Sequence, residues 1–429
     1  MPYKYINSTY NNKNKSVSMD IDDILDGSDF FVVLADTKEY KFYKTSKFIN
    51  VYLITIISLL GIIGNLLSIY IFRSRQYKRV TLKIFLLSLA ISDITVLITH
   101  YIDFTLRAWV NLHELFHTNV NFIDSSRIFC KLVSYSCNVA RTISAYTMLL
   151  MTFERFIALY FPMYKNKLCS FRINGLLTKS LVISSFIFNS NILYLADIVK
   201  DANSNSFICE IKDDLKVLYF YLNVLFVIFT ILIPIIIVSI ITFMLLHKVT
   251  EYVSITKLCC LFERRNLNYD ETQNMETLQN FTFSYSTATR EYPQQQQILL
   301  NSRRKPSYSL RTTYVLIILS KWFIILHIPY FICWLMVNIN ESNNQKILSN
   351  ESTNTNASFM SYTEDVEEHL KIETKKCILR AFHNISEVIY ITNYAINFLL
   401  YTINGKYFRK RFKATIVSFF FKLTLKRCG

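Results

Sequence analysis

The stretch CKLVSYSCNVARTISAYTMLLMTFERF, residues 130–156, decides the fold of this chain. Cys130 opens a long apolar run, and the pair Glu154-Arg155 closes it. At about 1.5 Å per residue, a helix of some twenty-five residues spans roughly 37 Å, which is enough to cross a bilayer. We therefore predict a transmembrane helix with the cysteine at one membrane face and the charged pair at the other.

Other apolar runs of similar length flank this one. The chain of 429 residues is 52% hydrophobic and 15% aromatic, with a mean hydropathy of +0.26, which is typical of a membrane protein and not of two or three soluble domains. We predict an all-α membrane protein, a seven-transmembrane helix bundle over residues 48–403. The predicted spans are 48–72, 82–106, 128–160, 173–198, 215–247, 312–339 and 378–403.

Basic residues in short connections predict the orientation, because Lys and Arg near the ends of spans favour the cytoplasmic side. They lie between the first two spans, between the third and fourth, and after the seventh, at Arg73, Arg75, Lys78, Arg79, Lys83, Lys165, Lys167, Arg172, Lys406, Arg409, Lys410, Arg411 and Lys413. We expect an extracellular N-terminus and a cytoplasmic C-terminus. We attribute the net charge of +16 to the basic residues that orient the spans and contact lipid headgroups, and we expect no nucleic-acid partner.

Polar segments separate or flank the spans. We predict that residues 1–47 form a disordered extracellular tail, 248–311 a flexible cytoplasmic loop and 340–376 a long extracellular loop. Residues 404–429 combine a short amphipathic helix in the membrane interface with a cytoplasmic tail. Sequons on the predicted outer side favour glycosylation at Asn7, Asn14, Asn340, Asn350 and Asn356.

Four short motifs follow one another across the spans: Gly64-Asn65, Leu89-Ala90-Ile91-Ser92-Asp93, Glu154-Arg155-Phe156 and Asn397-Phe398-Leu399-Leu400-Tyr401. Through most of the chain, this order resembles rhodopsin-like (class A) G protein-coupled receptors. The resemblance implies a plasma-membrane receptor that activates a heterotrimeric G protein, with kinases, arrestin and membrane lipids as further partners. An enzyme is not expected, since no nucleophile, base and oxyanion donors recur at a recognisable spacing.

The resemblance also implies roles for particular residues. Cys130 and Cys209 would form a disulfide, with two free thiols as the alternative. Glu154, Arg155, Asn397 and Tyr401 would form the G-protein coupling switch. A sodium ion would be held by Asp93, Ser144, Asn393 and Asn397, with Asn65 nearby; the alternative is a protonated Asp93 in a polar packing cluster. No other cofactor is expected.

The chain departs from the family pattern at several positions. His327 stands where the family usually has Trp, Phe398 where it has Pro, and Thr242 where it has Tyr. These departures leave the predicted seven-helix fold in place, but they put the usual activation relay in question, above all at His327.

Arg141 lies inside the third span, about 21 Å along the axis from Arg155 and some 40° around it, so both side chains can face the bundle interior. A buried arginine needs a carboxylate. Asp103 and Glu387 are the candidates, each ten residues to the outer side of Asp93 or Asn397. An internal salt bridge and a ligand contact remain equally open. With His327, these residues form the predicted ligand site.

Two residue types narrow the ligand class. Cys137 stands where amine receptors carry an Asp, and no Lys lies near Ile391, where opsins bind retinal. The stretches 154–162, 397–401 and 405–409 resemble invertebrate receptors for FMRFamide-type neuropeptides. We predict a cationic, amidated extracellular peptide. The alternatives are a chemosensory receptor for a small molecule and a seven-helix transporter, although the paired halves of a transporter are not visible.

Overall fold

A computed structural model describes residues 33–74, 81–108, 122–200, 207–251, 254, 306–351, 361–404, 408–415 and 417. Within these ranges the long helices are α1 Lys38–Phe72, α2 Lys83–Ala108, α3 Arg127–Tyr160, α4 Phe171–Phe188, α5 Lys216–Glu251, α6 Pro306–Glu351 and α7 Ser361–Asn404. Each predicted span falls on one of them, which confirms the predicted all-α architecture.

Five of these helices are long and apolar enough to cross a membrane by length and composition alone: α1, α2, α4 with its extension to Leu195, α5 and α6. The other two are more polar. Helix α3 buries Ser144, Thr147, Thr152 and Glu154, and α7 opens with the acidic stretch 364–368. A polar helix is suited to the centre of a bundle, where neighbouring helices satisfy its side chains.

Several predicted boundaries are wrong, because helices extend beyond the apolar runs. Helix α1 begins at Lys38 and not at 48, since the Thr37 hydroxyl accepts a hydrogen bond from the Tyr40 N–H at 3.3 Å and caps the helix. The predicted tail 1–47 is therefore helical from Lys38. The predicted loop 340–376 is also mostly helical, because α6 reaches Glu351 and α7 begins at Ser361.

Helices also extend into the predicted loop 248–311 and include two of the predicted glycosylation sites, Asn340 and Asn350. Helices α5 and α6 take both ends of the predicted loop 248–311. Asn340 is only 7% exposed on α6, so the prediction of a glycan there is wrong. Asn350 lies on α6 with its side chain undescribed, while Asn7, Asn14 and Asn356 lie outside the described residues.

Helices α1 and α7 approach each other closely because α1 carries glycines at the contact. A Cβ added to Gly61 would lie 2.6 Å from Ala395 Cβ and 2.7 Å from Leu97 Cδ1. One added to Gly64 would lie 2.9 Å from Phe398 Cβ. Small residues let two membrane helices pack backbone against backbone, so these glycines fix the spacing between α1 and α7.

Helix α7 runs unbroken from Ser361 to Asn404. Phe398 stands where the family that the sequence resembles usually has Pro, and it keeps the backbone N–H that a proline lacks. Its ring packs edge-on against Phe408, with 5.7 Å between ring centroids, and against Phe412 at 5.3 Å. Both partners lie on a short helix, α8, over residues 408–415. The amphipathic eighth helix is thus confirmed, with Phe408 buried and Lys410 exposed.

Two helices widen into π-helical turns. Helix α2 does so at Tyr101–Thr105, and α5 at Ile228–Leu232, just before Pro234. A π turn adds a residue to the helical repeat and rotates the side chains that follow it, and such turns recur at functional sites. In α2 the turn contains Asp103.

Between α4 and α5 the chain forms an antiparallel hairpin of β1, Ala196–Lys200, and β2, Phe207–Ile211. Ile198 pairs with Cys209 in this hairpin. The last three residues of the predicted fourth span therefore belong to a strand.

Gly61→Ala is expected to destabilise the protein, because the new methyl group overlaps Ala395 and forces α1 and α7 apart. The melting temperature in detergent should fall by several degrees. Gly175→Ala is the matched control, since its Cβ would meet only Ile84 Cδ1 at 3.5 Å, an ordinary contact. Equal melting temperatures for the two variants would contradict the proposed close packing.

Candidate functional site: a charged cluster and two polar clamps

Cys130 marks one end of the bundle, which we call the disulfide end. The opposite end, which carries Glu154, is the Glu154 end. A disulfide joins Cys130 on α3 to Cys209 on β2, with 5.6 Å between their Cα atoms, as predicted. The bond ties the hairpin to the first part of α3.

Two charged residues that the sequence did not single out brace the hairpin further. The carboxylate of Asp124 accepts a hydrogen bond from the Cys209 N–H at 2.6 Å. Arg107 donates to Asp124 Oδ1 at 3.2 Å and to the Cys209 carbonyl at 3.3 Å. Its guanidinium also lies 3.8 Å from Asp103 Oδ1. Arg107 therefore connects the predicted ligand carboxylate to the hairpin.

The base of the hairpin carries a third carboxylate, Asp197. Burial opposes its ionisation, but the Ile198 N–H and the nearby charges of Arg127, Lys131 and Lys212 outweigh burial and lower its pKa. Arg127 Nε lies 2.8 Å from Asp197 Oδ1. Asp197 is thus an anion that joins the start of α3 to β1.

Arg141 contacts a histidine where we expected a carboxylate. Its Nη2 lies 3.2 Å from His100 Nδ1. Because a guanidinium only donates, Nδ1 accepts, which puts the ring proton on Nε2. That atom faces Glu387 Oε1 at 3.6 Å, beyond hydrogen-bond length but within ion-pair range. In the described part of the chain no ion pair joins Arg141 directly to Asp103 or Glu387. Of the two open alternatives, a direct internal salt bridge is therefore not seen there, and His100 lies between the charges.

Both predicted carboxylates have other partners. Glu387 Oε2 accepts from Asn50 Nδ2 on α1 at 3.1 Å, and Asp103 Oδ2 accepts from the Ser134 hydroxyl on α3 at 3.3 Å. Their side chains remain 15% and 12% exposed. We call His100, Asp103, Arg107, Arg141 and Glu387 the charged cluster. Within the cluster His100 contacts Arg141 and Glu387, and Arg107 contacts Asp103, while the two carboxylates keep a small exposed fraction.

Aromatic rings support the charged cluster from the side of the Glu154 end. The Arg141 guanidinium lies 5.8 Å from the Tyr390 ring centroid, within reach of a cation–π interaction. Tyr390 stacks on Tyr330 with 4.4 Å between centroids and shares a 2.6 Å hydrogen bond with the Tyr394 hydroxyl. His327 packs edge-on against Tyr390 at 5.1 Å.

His327 was predicted to contact the ligand, but it is only 2% exposed. Its Nδ1 donates to the Phe323 carbonyl of its own helix at 2.7 Å. The prediction of a direct ligand contact is therefore wrong. His327 is a packing residue beneath Tyr390, and its position explains how it can replace the usual Trp.

The buried carboxylate of Asp93 joins three helices. Oδ1 accepts from the Ser144 hydroxyl on α3, and Oδ2 accepts from Asn397 Nδ2 on α7, both at 2.7 Å. Asn65 instead donates to the Tyr394 carbonyl at 2.8 Å. Its Oδ1 is buried and has no hydrogen-bond partner in the part of the chain that is described. Asn393 is buried nearby on α7, although no hydrogen bond to Asp93 is seen in the described ranges.

Like Asp93, Glu154 connects several elements through its carboxylate, and we call these two sets of contacts the Asp93 clamp and the Glu154 clamp. At the Glu154 end, the Glu154 carboxylate accepts from the Thr81 hydroxyl, just before α2, at 2.6 Å and from Asn174 Nδ2 on α4 at 3.2 Å. Neighbouring Arg155 is 7% exposed. Thr152 Oγ1 lies 3.1 Å from Ser320 Oγ on α6. Helix α3 is thus connected to α2, α4 and α6 at this end.

Tyr401 ends the predicted switch on α7. Its ring packs edge-on against Phe72 of α1, with 5.4 Å between centroids, and lies 5.7 Å from Phe408 of α8. Its hydroxyl is buried without a hydrogen-bond partner among the described residues, which costs about 1–3 kcal/mol. Such a group gains free energy if it moves to a place where a partner is available.

The motifs and the bundle agree with a family comparison. A family model described as "7 transmembrane receptor (rhodopsin family)" matches residues 64–401, well over half of the chain. The chain belongs to this family. The receptor is therefore a multi-pass membrane protein with a seven-helix bundle, a signalling protein and not an enzyme.

A neuropeptide receptor is among its relatives. Neuropeptide receptor 15 of Caenorhabditis elegans is 32% identical over 157 residues, which make up 35% of this chain and 42% of that protein. The chain thus matches less than half of that relative's length. This similarity agrees with the predicted resemblance to neuropeptide receptors.

Sequence reasoning missed His100, Arg107 and Asp124. A signal existed for the first two, because His100, Asp103 and Arg107 are spaced by three and four residues and so share one face of α2. Asp124 gives no such signal, since its partner Cys209 is 85 residues away in sequence.

Replacing Cys130 or Cys209 by Ser is expected to lower the melting temperature and the surface delivery of the receptor to a similar extent. Each change breaks the same bond, typically worth about 2–4 kcal/mol, so the double variant should be no worse than either single one. Cys333→Ser, which removes a free half-buried thiol on α6, is the control. Additive defects in the double variant would show that the two cysteines act separately.

Proposed function

We propose that this receptor binds an extracellular peptide at the disulfide end and activates a heterotrimeric G protein at the Glu154 end. The observation that carries the proposal is the charged cluster, which is partly exposed beneath the disulfide-bound hairpin. The similarity to Neuropeptide receptor 15 supports a peptide as the ligand. In this proposal the receptor lies in the plasma membrane with its N-terminus outside, and kinases and arrestin bind its cytoplasmic face.

The charges of the cluster favour a cationic, amidated peptide. The Arg107–Asp103 and His100–Glu387 contacts, at 3.8 and 3.6 Å, are longer than hydrogen bonds, so a guanidinium of the ligand can replace them at moderate cost. Arg141 uses one donor on His100, and its buried Nε has no hydrogen-bond partner among the described residues. The carbonyl oxygen of a C-terminal amide would satisfy such a donor.

The distribution of basic residues supports the orientation. Lys165, Lys167 and Arg172 lie at the Glu154 end, in the short connection between α3 and α4. Short loops rich in Lys and Arg favour the cytoplasmic side. This assignment puts the disulfide in the oxidising extracellular space.

The oxygen atoms around Asp93 are suitable ligands for an allosteric sodium ion. Asp93 and Ser144 offer two oxygens 2.7 Å apart, and the unpartnered Asn65 Oδ1 is a third buried oxygen in the same region of the bundle. Hard cations prefer such oxygen ligands, and a carboxylate keeps lone pairs after it has accepted one hydrogen bond per oxygen. Asn393 and Asn397 would complete the polar surroundings. The bound ion would supply positive charge that keeps Asp93 ionised.

A peptide-library screen with calcium and cyclic-nucleotide readouts would first identify an agonist. Arg155→Ala is then expected to abolish agonist-driven nucleotide exchange on the G protein while agonist binding survives, because Arg155 lies at the Glu154 end, far from the charged cluster. Lys44→Ala, an exposed lysine on α1, is the control and should leave exchange unchanged. Normal exchange in Arg155→Ala would remove the coupling role.

Neutralising either carboxylate of the charged cluster is expected to weaken agonist potency. Glu387→Gln and Asp103→Asn should each cost about tenfold to a few hundredfold, since a charge-assisted hydrogen bond contributes roughly 1.5–3 kcal/mol. Asp36→Asn is the control, because this exposed carboxylate lies at the same end of the bundle and, among the described residues, pairs with Lys41 alone, at 2.7 Å.

A modified agonist sharpens this test. If its arginine is replaced by neutral citrulline, the peptide should lose potency on the unmodified receptor. On the variant that lacks the carboxylate partner of the guanidinium, the same replacement should cause little further loss of potency. Full potency of the original agonist on both variants would contradict an acidic recognition site.

A further inference from the structure

A large apolar groove lies on the outer surface of the bundle at the Glu154 end. It lies between α3 and α4, is bounded by Phe85 of α2 and by the short helix Lys165–Leu168, and encloses about 450 Å³. Its walls are hydrocarbon, with Leu150, Phe153, Phe161 and Leu177 among them. The last three are 41–49% exposed, so the groove opens toward the surrounding membrane.

The polar groups that line this groove are already engaged. Glu154 is held by Thr81 and Asn174, and Asn174 also donates to the Thr81 carbonyl at 3.2 Å. Cys169 lies with its Sγ 3.8 Å from the Glu154 carbonyl. A ligand that needs hydrogen bonds would therefore find few partners here. An acyl chain fits, because it only has to fill apolar volume.

Basic residues are close in sequence to Leu168, Ile173 and Leu177, which line the groove. Residues 156–196 contain no Asp or Glu, but they contain Lys165, Lys167, Arg172 and Lys179. Among the described residues no ion pair is seen for these four. Arg172 and Lys179 are both exposed and seven residues apart on α4, so they lie on one helix face about 10 Å apart along the axis. A lysine on a lipid-facing surface needs an anionic partner or must extend toward the interface.

We propose that this groove binds one anionic phospholipid, with an acyl chain along Phe153 and Leu177 and its phosphate against Lys165, Lys167 and Arg172. The apolar walls favour an acyl chain, and the basic side chains favour a negatively charged headgroup over a zwitterionic one. The leaflet at this end, which we propose to be the cytoplasmic one, is where anionic lipids concentrate.

Such a lipid would bear on signalling because Glu154 lines the groove. A chain packed there contacts the side chain that connects α2, α3 and α4, so it stabilises this arrangement of helices. The bound lipid is then an allosteric ligand of the Glu154 clamp, separate from the charged cluster at the other end.

The test uses the purified full-length receptor in a neutral detergent, to which phosphatidylglycerol or phosphatidylcholine is added. Retained lipid is measured by native mass spectrometry, and the melting temperature is measured in parallel. We expect phosphatidylglycerol to be retained at least about tenfold more tightly and to raise the melting temperature more. Equal retention of the two lipids would overturn the proposal.

Two pairs of variants separate the headgroup contacts from the groove. Lys165→Ala/Lys167→Ala/Arg172→Ala should abolish the preference for phosphatidylglycerol, while Lys38→Ala/Lys44→Ala/Lys200→Ala, three exposed lysines at the disulfide end, should keep it. Leu177→Trp fills the groove and should weaken retention of both lipids. Ile187→Trp, at a 70% exposed position on the same helix, should not.

A final arm replaces the lipid with glycerol phosphate, which has the headgroup charge but no chains. We expect it neither to be retained nor to raise the melting temperature. Equal stabilisation by glycerol phosphate, or unchanged retention of phosphatidylglycerol by Leu177→Trp, would show that the groove is not used. If the triple variant fails to fold, the lipid comparison on the unmodified chain and Leu177→Trp still decide the question.

Discussion

The carboxylate of Asp93 must be satisfied inside the bundle, because a charge or an unpaired oxygen at that depth costs several kcal/mol. Ser144 on α3 and Asn397 on α7 supply the two hydrogen bonds, each at 2.7 Å. Three helices are therefore held in one register by one side chain. Other buried charges also bind side chains of neighbouring elements, since Glu154 joins α3 to α4 and to Thr81 just before α2, and Arg141 contacts α2 through His100.

Helix α3 contributes to each of these contacts, which explains why it is both buried and polar. Along its length it carries Cys130, Arg141, Ser144 and Glu154, which takes it from the disulfide end through the charged cluster to the Glu154 end. A displacement at Arg141 therefore has a rigid helical path to Glu154. The aromatic side chains beneath Arg141, above all Tyr390, make a parallel connection to α6 and α7.

Two contacts of the charged cluster are longer than the hydrogen bonds that hold Asp93. The His100–Glu387 and Arg107–Asp103 contacts are 3.6 and 3.8 Å long, and in the proposed binding mode ligand contacts replace them at moderate cost. The hydrogen bonds of Asp93 and the Thr81–Glu154 bond are 2.6–2.7 Å long. Helices α1 and α7 are fixed to each other at Gly61 and Gly64, and α7 is unbroken at Phe398.

The amino-acid sequence alone predicts the seven helices, the disulfide, the Asp93 network with Ser144 and Asn397, and the amphipathic α8. These follow from apolar length, from residues of fixed spacing and from motifs whose order carries the family resemblance. The contact partners of the charged side chains became evident only from the packing of the helices. His100 lies between Arg141 and Glu387, Arg107 pairs with Asp103 and Asp124, and Thr81 and Asn174 hold Glu154. Except for Arg107 and Asp103, which are four residues apart on α2, these partners come from different elements, and sequence spacing does not show which side chains meet across a bundle. The helix ends at Lys38, Glu351 and Ser361 were missed for a related reason: hydropathy marks where lipid contact stops, whereas a helix continues until its backbone hydrogen bonds end.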